Sequence, residues 1–166
     1  MSSPNSLAPI VSRIANRLGD EKFPRGELAE LRRMSPESPG PAFWKLMAQV
    51  QPELLSADNN APIRRWALVV QSLAALAALP QSDAPLGEAL AEAGVSERRF
   101  DRLLRADEEQ LPDLLRAAIH QLNAGARAGK RIELAELILS TDESKAERVR
   151  VRLARDFYRT THAKSE

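Results

Sequence analysis

Ser144-Lys-Ala-Glu-Arg-Val-Arg-Val-Arg-Leu-Ala-Arg-Asp-Phe-Tyr-Arg-Thr160 carries the clearest pattern in the chain. At about 100° per residue, Ala146, Val149, Leu153 and Phe157 gather on one face of a helix. Arg148, Arg152, Arg155 and Arg159 fall on another, within an arc of about 60°. Ser144 with Glu147 reads as a capping box that opens this helix, and the pattern runs to about Thr160. One side packs on a core while the other presents four guanidinium groups along the axis. Like charges at this spacing cost a helix a few tenths of a kcal/mol per pair, roughly. Glu147 and Asp156 offset only part of that cost, so the stripe invites a polyanion as partner.

Helical patterns recur toward the N-terminus, punctuated by Pro and Gly, and no clear strand alternation appears. Ser96 caps a helix through Arg105, in which Arg98, Arg102 and Arg105 share one face and Phe100, Leu103 and Leu104 the other. A short helix over Asp83 to Ala93, stopped by Gly94, precedes it. Pro112 opens a helix with Leu114, Leu115, Ala118, Ile119 and Leu122 in register, and Ile132 to Leu139 forms another. Lys130 and Arg131 fall in a loop. Ile63 to Leu79 is apolar nearly all round and belongs at the centre of a core. Leu7 to Leu18, Gly26 to Met34 and the segment opened by Pro41 complete the set. The expectation is an all-α fold, a compact bundle of about eight helices in one domain over 1–166. It has two helical halves, roughly 6–80 and 83–160, and frayed ends at 1–5 and 161–166.

The chain has 166 residues and a net charge of +1, and it lacks cysteine. A disulfide framework, a thiolate metal site and a cysteine nucleophile are therefore excluded. No signal peptide is visible, and the most apolar stretch, Trp66 to Leu79, is too short for a span of about 20 residues. A cytoplasmic protein with no membrane contact is expected. Of 24 basic residues only 5 are Lys. Arg presents a planar fork that grips phosphate with paired hydrogen bonds. A GC-rich genome would give the same bias, so position decides.

The residues that catalysis needs are missing as constellations. His120 has Arg116 and Ala124 at i±4, so it lacks a ligand partner, and His162 lies in the tail. No HExxH, no phosphate-binding Gly loop and no G-x-S-x-G occurs. Glu133, Glu136, Glu108 and Glu109 read as helix-surface and helix-start charges. Trp44, Trp66 and Tyr158 are able to stack on bases, but the apolar helical positions of Trp44 and Trp66 favour core packing for both tryptophans. Neither enzyme activity, cofactor nor metal is expected.

Three readings stay open on these residues. One is a protein that grips nucleic-acid backbone through the arginine stripes. A second is a regulator using Pro85 to Arg105 as a helix-turn-helix, although Leu90 and Ala89 compete for the position that should face the second helix. A third is a helical scaffold whose arginines pair with acidic protein patches.

The order of segments resembles a known family. Gly26-Glu-Leu-Ala-Glu-Leu-Arg-Arg33 is followed, after a Pro-rich loop, by Pro41-Ala-Phe-Trp44. Then come Leu86-Gly87, Val95-Ser-Glu-Arg-Arg-Phe-Asp-Arg-Leu-Leu-Arg-Ala-Asp107, a Leu-rich helix, a Leu-Ala-Glu-Leu segment and Ala154-Arg-Asp-Phe-Tyr158. Over Gly26 to Arg159 this is similar to CasB, the small subunit of the type I-E CRISPR effector complex Cascade. The family often carries a Trp before the last helix and another within it. Ser140 or a neighbour, and Leu153, stand there instead. The resemblance implies an all-α, non-catalytic subunit that pairs as a homodimer beside the backbone and large subunits of the complex. It implies contacts with guide RNA and target DNA and stabilisation of the R-loop in antiviral defence. Exchanging a DNA duplex for an RNA–DNA hybrid is nearly balanced in free energy, so contacts that read no sequence can tip it. The expected backbone contacts are Arg98, Arg102, Arg105, Arg148, Arg152, Arg155 and Arg159 from helical spacing. Arg32 and Arg33 are added from the Leu-Arg-Arg resemblance.

Overall fold

The computed structural model describes residues 4–56 and 60–164, and these form nine α-helices and no strand. Each segment read as helical contains a helix, although Ala61–Ala75 and Leu86–Glu92 are shorter than expected at their C- and N-terminal ends respectively. The chain divides into two compact units, Met1–Ala78 and Leu79–Glu166.

The first unit holds α1 (Pro4–Leu18), α2 (Arg25–Arg33), α3 (Pro41–Val50), a 3-10 turn (Pro52–Ser56) and α4 (Ala61–Ala75). α4 is the centre of this unit. Its Trp66, Ala67, Leu68, Val69, Val70, Leu73 and Ala74 are all buried, and α1 and α2 pack on it. It stops at Ala75, four residues before the expected Leu79. The backbone N–H of Leu76 is shared between the carbonyls of Ser72 and Leu73, and Pro80 biases Leu79 toward extended backbone. At α3 the sequence lacks a local cap and a neighbour supplies one. Gly40 offers α3 no side chain, and the Glu30 carboxylate accepts the Ala42 N–H at 2.8 Å.

The second unit holds α5 (Leu86–Glu92), α6 (Glu97–Leu104), α7 (Leu111–Ala124), α8 (Arg131–Leu139) and α9 (Glu143–Lys164). Its core is built on α9, whose Val149, Leu153 and Phe157 are buried. Phe157 stacks on Phe100 of α6 at 3.9 Å between centroids. α5 lies against α9 so closely that Gly87 faces the Leu153 carbonyl and the Phe157 nitrogen without room for a Cβ. Gly94, at φ +87°, makes the turn between α5 and α6. Ser96 caps α6 as expected, its hydroxyl accepting the Arg99 N–H at 3.2 Å.

Three expectations are corrected here. α9 is opened by Asp142, not Ser144. The Asp142 carboxylate accepts the Lys145 N–H at 3.0 Å, and Glu147 turns instead to Arg150, 2.8 Å away. An acidic Ncap two residues upstream outcompetes the capping box. α9 also runs past Thr160 to Lys164, with Lys164 Nζ reaching the Ala91 carbonyl at 3.4 Å. Lastly, Arg131 is not a loop residue. It is the first residue of α8 and is buried, its guanidinium donating to the Gly129 and Leu79 carbonyls at 3.2 and 3.0 Å. Burial lowers its pKa.

Candidate nucleic-acid interface

The nine arginines expected to meet phosphate are all exposed, but the fold uses them differently. Arg32 and Arg33 end α2 in the first unit. Arg32 Nε donates to the Ala74 carbonyl at 2.9 Å, which satisfies an acceptor at the C-terminus of α4. Arg33 Nε bonds back to Ala29 of its own helix at 3.3 Å. The other seven lie in the second unit, on α6 and α9, which the Phe100–Phe157 stack holds together.

On α6, Arg105 pairs with Asp101 at 3.1 Å. Arg98 and Arg102 have no carboxylate partner among the described residues. Helix geometry puts them roughly 60–100° round α6 from Asp101. Tyr158 of α9 meets α6 at the Phe100 ring, and the carboxylates of Glu97 and Asp101 act electrostatically on its hydroxyl. Burial and then these two carboxylates raise the Tyr158 pKa, so the phenol stays protonated.

On α9 the stripe splits. Arg148 and Arg155 carry no ion pair among the described residues. Arg159 pairs with Asp156 one turn earlier. Arg152 reaches across to α8, at 3.1 Å from Glu136 and 3.5 Å from Glu133. Partial burial would lower its pKa, but the two carboxylates outweigh that and raise it.

Glu133 is the residue that sequence reading misplaced. It is not a surface charge: it is 5% exposed, and it accepts the Leu86 N–H at 2.8 Å. Pro85 precedes α5 and offers no side-chain acceptor, so α5 takes its N-terminal cap from α8. That missing cap is the one signal in the sequence that an outside acceptor is needed. Arg152 is thus the cation beside a buried, hydrogen-bonded carboxylate. Arg152→Ala should lower stability by about 1 kcal/mol, a value reduced because the guanidinium is half-exposed. Arg155→Ala should stay within about 0.5 kcal/mol. Urea midpoints of the two variants check this; equal midpoints would mean the Arg152 pairs contribute nothing.

The described residues contain no group of His, Asp or Glu able to hold a metal ion, and no helix among them is long and apolar enough to cross a membrane. Trp66 is buried as expected. Trp44 is half-buried, with its indole N–H on the Pro39 carbonyl at 3.2 Å.

Comparison with known proteins fits this architecture. CasB from Thermus thermophilus superposes with a TM-score of 0.69 at 26% identity, covering 95% of this chain and 99% of that one. M. ruber CasB gives 0.71 at 24% identity, covering 94% and 96%. A chain of E. coli Cascade bound to a PAM-containing dsDNA target gives 0.66 at 20% identity, covering 92% and 96%. The last two likenesses speak for the fold alone. No curated protein sequence matches the chain. The profile of the CRISPR-associated protein Cse2 family matches residues 27–158, nearly the stretch over which the segment order resembles CasB, and the chain therefore belongs to the Cse2 family of CRISPR-associated proteins.

Proposed function

We propose that this chain is the non-catalytic small subunit of a type I-E CRISPR surveillance complex, where it holds the backbone of guide RNA and target DNA and stabilises the R-loop. The observation that carries this reading is the set of four exposed arginines without carboxylate partners, Arg98, Arg102, Arg148 and Arg155, on two helices of one compact unit. Guanidinium groups left without internal partners are available to phosphate oxygens and read no sequence. Arg105 and Arg159 sit beside them but share their charge with Asp101 and Asp156. Arg32 and Arg33 keep free N–H groups beyond the ones they spend on carbonyls. The E. coli relative comes from a Cascade bound to a dsDNA target. By analogy the partners are backbone and large subunits, guide RNA, target DNA and a second copy of this chain, all in the cytoplasm.

A native pull-down of the tagged protein from its host tests the reading. Short RNAs of uniform length with several unlike proteins in fixed ratio are expected. Recovery of the chain alone, or with one acidic protein and no RNA, would sink it.

A further inference from the structure

Tyr158 is 39% exposed, although both aromatic rings it touches are fully buried. It meets Phe157 at 5.3 Å and 81° and Phe100 at 6.1 Å and 82°. The ring is therefore held in place by two perpendicular neighbours while much of its surface meets solvent. Such a side chain loses little rotamer freedom when something lies on it. Along α9, Val151, Arg155 and Tyr158 fall within about 60° of one another, and all three are exposed. Val151, also 39% exposed, adds apolar surface two turns before the ring.

We propose that Tyr158 is a stacking platform for an unpaired nucleobase of a strand whose phosphates follow Arg155 and Arg148. The proposal rests on the backbone-gripping reading of α9 given above and adds what that reading lacks, a preference for single strands. Paired bases are closed between their neighbours in a duplex, whereas an unpaired strand offers a π-face to every aromatic it passes. The charges also set the direction. Glu97 and Asp101 stand at the hydroxyl end of the ring and repel phosphate there, so the backbone keeps to the Arg155 side and the base turns toward Tyr158.

The test uses the full chain and fluorescence anisotropy against four probes of one length: a DNA strand, an RNA strand, an abasic DNA backbone and a DNA duplex. The wild-type protein should hold a base-bearing single strand about fivefold or more tighter than the abasic one. Whichever of DNA or RNA binds more tightly names the strand. Tyr158→Phe should keep this preference. Tyr158→Leu, which still covers the Phe pair, should lose about fivefold or more on the base-bearing strand and nothing on the abasic strand or duplex. Equal binding of base-bearing and abasic strands by the wild type, a comparison that needs no variant, would overturn the proposal. So would a Tyr158→Leu variant that binds all four probes like the wild type, since Tyr158 would then only shield Phe100 and Phe157. If no probe bound with salt dependence, or Arg155→Glu changed nothing, the backbone reading itself would fail and take the proposal with it.

Discussion

Gly87→Ala should destabilise the protein by about 3 kcal/mol, the upper end of what one added methyl group costs in a packed interior. A Cβ at Gly87 would lie 2.3 Å from the Leu153 carbonyl oxygen and 2.8 Å from the Phe157 nitrogen. Both are main-chain atoms of α9, so no side-chain rotation can make room. α5 has no easy retreat either. Gly129 packs closely on Leu86 of α5, where a Cβ built at Gly129 would come within 2.6 Å of the Leu86 Cα. The Leu86 N–H is meanwhile fixed to the buried Glu133 carboxylate. On the far side Phe157 is fully buried against Phe100, so moving α9 would open the aromatic stack. Gly26→Ala is the control. Nothing lies within 4 Å of where an added Cβ would sit, the residue is inside α2, and alanine there should be neutral or stabilising by up to about 1 kcal/mol. Denaturant unfolding of both variants checks the pair. A loss under about 1 kcal/mol at Gly87 would mean that α5 can ride away from α9.

Much of this was legible because helix periodicity is a local property. Val149, Leu153 and Phe157 repeat at helical spacing, and the structure buries all three. The apolar run of α4 is central for the same reason. What was not legible depended on partners far along the chain. Glu133 looked like any acidic residue in a first helical turn. Its burial follows from Leu86, 47 positions away, needing an acceptor. Arg131 looked like half of a basic loop pair, yet its guanidinium satisfies carbonyls that its own α8 cannot reach. The stripe on α9 was real as geometry, since spacing fixes which residues share a face. Spacing carries no information about the carboxylates of a neighbouring helix, and Glu133 with Glu136 is what removes Arg152 from the unpaired set. The start of α9 failed for a smaller reason: two plausible caps lie two residues apart, and the acidic one prevails.

Replacing Arg98, Arg102, Arg148 and Arg155 together by Glu should weaken nucleic-acid binding by roughly a hundredfold or more and flatten its dependence on salt. Each phosphate contact releases close to one counterion, so losing four should reduce the log–log salt slope by about 3 to 4. The fold should survive, because none of the four makes an internal ion pair among the described residues and exposed charges contribute little to stability. The same change at Arg105 and Arg159 should move the slope less, since Asp101 and Asp156 already neutralise part of their charge. Arg152→Glu belongs to neither group. It would face Glu133 and Glu136 with a third carboxylate, so its loss of binding would arrive with a loss of stability and could not be read as a phosphate contact. Titrations across a salt series, with a thermal unfolding curve for every variant, separate these cases. An unchanged slope in the fourfold variant would remove phosphate as the partner of the unpaired arginines. If assembly with neighbouring proteins were lost at the same time, acidic surfaces of those proteins would take the place of the nucleic acid.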